Sequence, residues 1–205
     1  MQKNVEKMSI NYSPNFDTNK RSIIEVKYLI FHYTGMRSEN AAIRRLTSKS
    51  SKVSCHYFIK RNGDIVKIVP DLYIAWHAGI SSWKKDKSLN SNSIGIEISN
   101  PGHTYGYKKF SQKQITSIIK LSKNLKKKYK IKKENVLGHS DVAPLRKKDP
   151  GEKFPWKLLN KKKICLWHNL SEKNCKKLRG VKLNGTDIFF QLLFKFGYKT
   201  TNDNN

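Results

Sequence analysis

Two apolar segments of this chain each end in a histidine, and this feature constrains the fold more than any other. Residues 26–31 (VKYLIF) lead into His32, and residues 136–138 (VLG) lead into His139. Short apolar runs of this kind, rich in β-branched and aromatic residues, predict buried strands over 26–33 and 136–139. A fold that buries both strands delivers two imidazoles to the places where those strands leave the core.

The remaining predicted elements alternate between helices and strands. A helix is predicted over 38–47 with Ser38 as its N-cap, and a second over 111–129 with a capping box formed by Ser111 and Gln114. Further strands are predicted over 53–60, 64–69 and 93–99, the first two joined by a hairpin turn at Asn62-Gly63. This order predicts an α/β fold in which helices flank a mixed central β-sheet.

One carboxylate stands out in the strand predicted over 93–99. Its isoleucines occupy positions 94, 96 and 98, whereas Glu97 lies between them. Successive side chains of a strand point to opposite faces. Glu97 is therefore expected to face away from the isoleucine core.

The loop that follows His139 supplies a second carboxylate. Residues 138–151 read GHSDVAPLRKKDPG, which places Asp149 at the end of a turn-rich stretch. A catalytic Zn²⁺ is held by about three protein ligands and leaves one position for water. His139 and Asp149 could supply two of these ligands, and His32 is the candidate for the third. Two neutral imidazoles and one carboxylate leave the ion with net positive charge, so it stays a useful Lewis acid.

With these residues in view, the chain resembles a known enzyme family. The segments HYTG, KVSCHYFIKRNG, AWHAG, SIGIEI and GHSDVAPLRKKDPG occur in the order seen in type-2 N-acetylmuramoyl-L-alanine amidases of the AmpD/AmiD type. That family is related to the peptidoglycan recognition proteins. The similarity runs from about residue 13 to residue 156 and fades after residue 167.

The resemblance implies a reaction and a role for individual residues. The reaction is zinc-dependent hydrolysis of the amide bond between N-acetylmuramic acid, or its anhydro form, and L-alanine in peptidoglycan or muropeptides. In the family, the residue corresponding to Glu97 transfers the proton and the residue corresponding to Lys147 is the second catalytic residue, where a cation would stabilise the oxyanion. Trp76 and His77 of AWHAG are suited to lining a saccharide or peptide groove, and Arg146 and Lys148 are expected to face solvent.

The domain organisation predicted from the sequence has three parts. Residues 1–22 are predicted to form an N-terminal arm on the domain surface, residues 23–160 the zinc amidase domain, and residues 161–205 a helical C-terminal tail. Within the tail, FFQLLFKFGY resembles the opening helix of the peptidoglycan-binding module of wall-bound relatives. We expect this remnant to dock on the amidase domain.

The strong positive charge raises a different class of function. The 205 residues carry a formal net charge of +27, which is typical of nucleic-acid-binding proteins. However, the lysines are scattered along the whole chain and no nucleic-acid-binding motif accompanies them, so no nucleic acid partner is expected.

No segment approaches the roughly 18 consecutive apolar residues that a transmembrane helix needs. A monomer is expected.

Two alternatives and the compartment remain open at this point. The alternatives are a non-catalytic peptidoglycan-recognition module and a charge-driven nucleic-acid binder, and the complete ligand set argues against the first. The N-terminal residues lack the apolar core of a signal peptide, and the three cysteines show no disulfide pattern, so a cytoplasmic location is expected. Because the chain also resembles wall-acting relatives, a location in the periplasm or cell envelope is the alternative. The sequence therefore leaves open whether the substrate is intact peptidoglycan or free anhydro-muropeptides.

Overall fold

The computed structural model describes residues 8–179, 181 and 186–199. The strands are β1 Met8–Ile10, β2 Phe16–Asp17, β3 Tyr28–Tyr33, β4 Tyr57–Ile59, β5 Ile65–Lys67, β6 Ile74–Ala75, β7 Ser82–Trp83, β8 Asp86–Lys87, β9 Ser93–Ile98 and β10 Val136–Gly138. The α-helices are α1 Glu39–Thr47, α2 Gln112–Tyr129, α3 His139–Val142, α4 Trp156–Lys161, α5 Glu172–Arg179 and α6 Thr186–Phe196.

A six-stranded mixed sheet forms the centre of the fold, in the order β1-β5-β4-β9-β3-β10. The four strands β4, β9, β3 and β10 run parallel, whereas β5 is antiparallel to β4 and β1 is parallel to β5. The predicted α/β class and mixed central sheet are confirmed. Because β3, β9 and β10 are neighbours and run in one direction, their carboxyl ends lie together at one edge of the sheet.

The two faces of the sheet are covered by different elements. Leu29, Phe31 and the three isoleucines of β9 pack with α2 in the largest apolar cluster. On the opposite face, Ile30 packs with Trp83 and Leu89 in a second cluster. His32 and Glu97 are paired in register across β3 and β9, so both side chains leave the sheet on the face opposite the isoleucines.

Helix α2 begins as the sequence predicts. The Ser111 hydroxyl accepts a hydrogen bond from the Gln114 backbone N–H at 3.2 Å, and the Gln114 side chain accepts one from the Ser111 N–H at 3.0 Å. Ser38 likewise caps α1 by accepting from Ala41 N–H. Several predicted strands are shorter in the structure, and β4 begins only at Tyr57. Ser54 and His56 pair their backbones with Trp76 and Gly95 instead.

The segment before residue 23 contributes to the sheet as well as to the surface. Strand β1 pairs with β5 at the edge of the sheet, and β2 pairs with β6. Ser13, Asn15 and Arg21 are buried in the described structure. The Asn15 side chain donates to the carbonyls of Ser48 and Val53, which ties this segment to the loop that follows α1.

The C-terminal tail contacts the domain through its last described residues. The Lys84 N–H donates to the Gly197 carbonyl at 2.7 Å, and the Tyr198 hydroxyl donates to Asp141 at 2.7 Å. The Tyr198 ring lies 4.9 Å from that of Trp83. The stretch FFQLLFKF lies in α6, where its large apolar side chains other than Leu193 are exposed. Among the helices of the described residues, none combines the length and apolar character needed to span a bilayer.

Candidate metal centre and active site

Three predicted ligands converge at the carboxyl edge of the parallel strands. His32 lies near the end of β3, His139 directly follows β10, and Asp149 comes from the loop after α3. The His32 Nδ1 atom is 2.9 Å from His139 Nδ1 and 3.0 Å from Asp149 Oδ2, and His139 Nδ1 is 3.0 Å from the same oxygen. All three side chains are buried. This group could hold a metal ion.

The donor chemistry of this group fits a zinc ion. The His139 Nε2 atom is 3.0 Å from the Ala78 carbonyl, which can only accept, so the proton of a neutral imidazole is on Nε2. The lone pair of His139 Nδ1 therefore faces His32 and Asp149. Zn²⁺ binds mixed sets of nitrogen and oxygen donors. Such a set is present here, because His139 Nδ1, His32 Nδ1 and an Asp149 carboxylate oxygen lie within 3.0 Å of one another.

The protonation states of the group also suit metal binding. Burial, together with the nearby His139, lowers the pKa of His32 to about 4. Burial alone would raise the pKa of Asp149, but its close contacts with the His139 and His32 rings hold that pKa well below its usual value. At neutral pH His32 is therefore neutral and Asp149 is ionised. These are the forms in which both side chains bind a metal.

Glu97 lies beside the group without belonging to it. It pairs in register with His32 on the neighbouring strand, and its Oε2 atom is buried with no hydrogen-bond partner among the described residues. Burial and the Asp149 carboxylate, partly offset by Lys147, raise the pKa of Glu97 to about 8. A carboxyl group with a pKa near the working pH can both accept and release a proton.

The three consecutive basic residues of the loop are in different surroundings. Lys147 is half-buried and close enough for its charge to act on both His32 and Glu97. Lys148 is exposed, as expected. Arg146 is exposed too, but its guanidinium donates to the carbonyls of Ala78 and Ile80, so it holds the loop that carries His77.

The two predicted groove residues have different surroundings in the structure. The Trp76 indole N–H donates to Asp17 at 2.8 Å, and the ring is partly exposed. The His77 ring lies behind His32, with its Nδ1 atom 3.1 Å from His32 Nε2 and its Nε2 atom 3.2 Å from Ser93 Oγ. Both ring nitrogens of His77 thus have protein partners. A role in substrate binding stays a prediction for both residues.

An aromatic cluster beside the site was not anticipated from the sequence. The Tyr33 hydroxyl lies 2.8 Å from His103 Nδ1, and His103 Nε2 lies 3.0 Å from Glu152. The Tyr107 hydroxyl donates to the Pro150 carbonyl at 2.6 Å, next to the predicted ligand Asp149. The one available signal was the position of Tyr33 directly after His32. His103 and Tyr107 lie in a loop without a recognisable pattern.

A family model described as N-acetylmuramoyl-L-alanine amidase matches residues 21–152. The chain is 36% identical over 192 residues to the N-acetylmuramoyl-L-alanine amidase AmiD of Escherichia coli, a match that covers 87% of this chain and 68% of that protein. It is 38% identical over 106 residues to the 1,6-anhydro-N-acetylmuramyl-L-alanine amidase AmpD of Haemophilus influenzae, covering 51% of this chain and 55% of that protein.

Solved structures show the same similarity in three dimensions. A complex of E. coli AmiD with anhydro-N-acetylmuramic acid-L-Ala-D-γ-Glu-L-Lys aligns at a TM-score of 0.76 and 36% identity, covering 88% of this chain and 75% of that one. Pseudomonas aeruginosa AMPDH3 with an anhydromuramic pentapeptide aligns at a TM-score of 0.77 and 28% identity, covering 92% of this chain and 79% of that one.

Proposed function

Because this chain belongs to the N-acetylmuramoyl-L-alanine amidase family, we propose that it is a zinc-dependent hydrolase of the amide bond between N-acetylmuramic acid and L-alanine. The observation that carries this proposal is the buried group of His32, His139 and Asp149, with Glu97 beside it on the next strand. His32, His139 and Asp149 would hold the ion. When bound, zinc would polarise the scissile carbonyl and lower the pKa of a water molecule towards neutrality.

In this proposal Glu97 moves the proton. A carboxylate close to the ligands but not among them can take a proton from the attacking water and deliver it to the leaving amine. The buried, unpartnered Oε2 atom of Glu97 supports this role, because no protein group competes for it among the described residues. Its raised pKa means that the group holds a proton readily once it has accepted one.

Lys147 would stabilise the negative charge that develops on the carbonyl oxygen. Its charge acts on Glu97 and His32, so a substrate carbonyl placed between those residues would also feel it. A fixed cation contributes most where water is excluded, because the effective dielectric there is low. Trp76 would contact the sugar or peptide beyond the scissile bond, since its ring is partly exposed in the same loop as His77.

For the substrate, we propose anhydro-muropeptides first and intact peptidoglycan second. AmiD and AMPDH3 have both been solved with anhydromuramic peptides, and both align with most of this chain.

The compartment and the monomeric state stay predictions. The three cysteines are free in the described structure, which agrees with the reducing interior of the cell. Cell fractionation with an antibody to the native protein would test the location.

The proposal is tested by metal content and product release together. The purified protein is incubated with an anhydro-N-acetylmuramyl tripeptide and with intact peptidoglycan, and peptides that begin with L-alanine are quantified by mass spectrometry. We expect one zinc per chain, activity that chelation abolishes and added zinc restores, and loss of both metal and activity in His32→Ala, His139→Ala and Asp149→Ala.

Two controls separate the alternatives. A non-catalytic recognition module would bind the muropeptide without releasing peptide, and a nucleic-acid binder would show salt-sensitive binding to DNA or RNA instead. Full activity after exhaustive chelation, or undiminished zinc in all three variants, contradicts the proposal.

A further inference from the structure

Both histidines of the metal group use their second ring nitrogen to contact one short loop. The loop comprises residues 76–79, between β6 and β7. His32 Nε2 lies 3.1 Å from His77 Nδ1, and His139 Nε2 lies 3.0 Å from the Ala78 carbonyl oxygen. The two contacts come from consecutive residues of the loop, one from a side chain and one from the backbone.

The hydrogen-bond partner of His139 indicates which of its ring nitrogens carries the hydrogen. A carbonyl oxygen can only accept, so His139 Nε2 carries the hydrogen and donates it to Ala78. Its Nδ1 atom then presents a lone pair to the other two members of the metal group.

The proton on His32 is assigned by a longer chain of hydrogen bonds. The Ser93 hydroxyl lies 2.5 Å from the Leu89 carbonyl, and only the hydroxyl hydrogen can occupy that contact. Ser93 Oγ therefore accepts from His77 Nε2–H, which leaves His77 Nδ1 as an acceptor. His32 Nε2 must then carry the hydrogen that His77 accepts, so the lone pair of His32 Nδ1 faces His139 and Asp149.

The loop is held in place by contacts that do not involve the metal group. The Asn90 side-chain oxygen accepts from the backbone N–H groups of His77 and Ala78, at 3.0 and 2.7 Å. Arg146 donates to the carbonyls of Ala78 and Ile80. On the other side, Gly95 leaves room for the His77 ring, because a Cβ atom at Gly95 would lie 2.4 Å from His77 Cγ.

From this geometry we infer that loop 76–79 selects the Nδ1-binding tautomer of both histidine ligands, and that His77 is a positioning residue for His32. This inference rests on the proposed metal site. Without the acceptor on His77, His32 can place its hydrogen on Nδ1 and donate it to Asp149, which competes directly with the metal. Partners of this kind typically contribute 10- to 100-fold to metal affinity.

The variants distinguish an acceptor from a space-filling ring. His77→Leu removes the acceptor, whereas His77→Asn keeps an oxygen where Nδ1 was. We expect His77→Leu to raise the zinc dissociation constant by about 10- to 100-fold, and His77→Asn to stay close to wild type. Ser81→Ala is the matched control, since it removes the hydrogen bonds of the Ser81 hydroxyl with the Gly79 carbonyl and the Leu89 N–H without touching either histidine. Affinity is measured by competition with a chromophoric chelator.

The tautomer itself is measured on the metal-free protein. Nitrogen-15 NMR of the histidine rings should show hydrogen on Nε2 of both His32 and His139 in the wild type, and a mixture of tautomers at His32 in His77→Leu. The wild-type spectrum tests the inference even if His77→Leu fails to fold. Hydrogen on Nδ1 of either ligand in the wild type, or an unchanged zinc affinity in folded His77→Leu, overturns the inference.

The two proposals fail in different ways. If the wild type binds no zinc and releases no peptide, the proposed function is wrong. If the wild type binds zinc and releases peptide while His77→Leu keeps the wild-type affinity, only the role of loop 76–79 is wrong.

Discussion

At the scale of single residues, burial shifts the pKa values of the site more than neighbouring charges do. Burial is the largest influence on the pKa of His32, His77 and Glu97, lowering it for both imidazoles and raising it for the carboxyl. In each case burial favours the neutral form. A metal ion in this site would therefore be the main source of positive charge for a developing oxyanion, together with Lys147.

Glu97→Gln should separate catalysis from metal binding. The change keeps the shape of the side chain and removes the group that transfers the proton, so we expect turnover to fall on the order of 100-fold or more while zinc content stays at the wild-type level. Elemental analysis and steady-state kinetics on the same preparation check this. Loss of zinc from Glu97→Gln would make Glu97 a ligand.

Glu97→Gln should also change how the stability of the metal-free protein depends on pH. A carboxyl whose pKa is raised on folding favours the folded state only while it is protonated. Metal-free wild type should therefore lose stability as the pH rises from about 5 through about 8, and Glu97→Gln should lose less over this range. Denaturant melts at several pH values measure the difference.

Lys147→Met and Lys148→Met test whether position or charge matters. We expect Lys147→Met to lower turnover on the order of 100-fold while zinc is retained, because a lost oxyanion partner affects mainly the transition state. Lys148 is exposed and carries the same charge, so Lys148→Met should have nearly wild-type activity. Equal losses in both variants, mimicked by salt, would indicate a general positive field.

At the scale of elements, the parallel arrangement of β3, β9 and β10 assembles the site. Each strand delivers one group at its carboxyl end, and helix α2 covers the opposite face. The start of α2 is tied to this sheet, since the Gln114 side chain donates to the Ser99 carbonyl just beyond β9 at 2.8 Å. Gln114 therefore connects the cap of the main helix to the strand that carries Glu97.

Gln114→Ala should destabilise the domain through this connection. The change removes the part-buried capping-box bond to Ser111 and the buried bond to Ser99. We expect the free energy of unfolding to fall by about 1–3 kcal/mol. Gln112→Ala, two residues earlier on the exposed side of α2, should change it by less than about 0.5 kcal/mol. Equal effects from the two variants in urea melts would contradict this account.

At the scale of the whole molecule, one buried carboxylate links distant parts of the chain. Asp71 accepts hydrogen bonds from the hydroxyls of Tyr57 and Tyr129 and from the ammonium groups of Lys67 and Lys128. Its backbone carbonyl accepts from Arg21 of the N-terminal segment. Burial alone would raise the pKa of Asp71, but the four side-chain donors hold it well below its usual value.

Asp71→Asn should cost stability in a pH-dependent manner. Because the pKa of Asp71 is lowered on folding, its contribution is complete above the unfolded-state pKa of about 4 and is lost as the pH falls through the lower folded-state pKa. We expect a loss of about 2–4 kcal/mol at pH 7 that shrinks below pH 4. Asp187→Asn, on an exposed position of α6, is the control. A loss independent of pH would show that the ionised form is not what stabilises the fold.

The sequence by itself determined the local elements and predicted which three side chains come together as a possible metal site. The capping box of α2, the histidines at the ends of β3 and β10, and the alternation that turns Glu97 away from the isoleucines all follow from neighbouring residues, whose spacing dictates which way side chains point. The pairing of β1 with β5 was not predictable in this way. Residues 8–10 and 65–67 are far apart in the chain, and edge pairing depends on which strand is available.

Only the tertiary structure decided how the site is supported. The sequence predicted only a groove role for His77, and the contact of its ring with His32, 45 positions away, could not be read from it. The same holds for the contact of the Ala78 carbonyl with His139, 61 positions away. A backbone carbonyl has no sequence signature, and a histidine can serve as ligand, support or substrate contact. Which role it takes depends on the partner that folding brings within about 3 Å, because a hydrogen bond forms only at that distance.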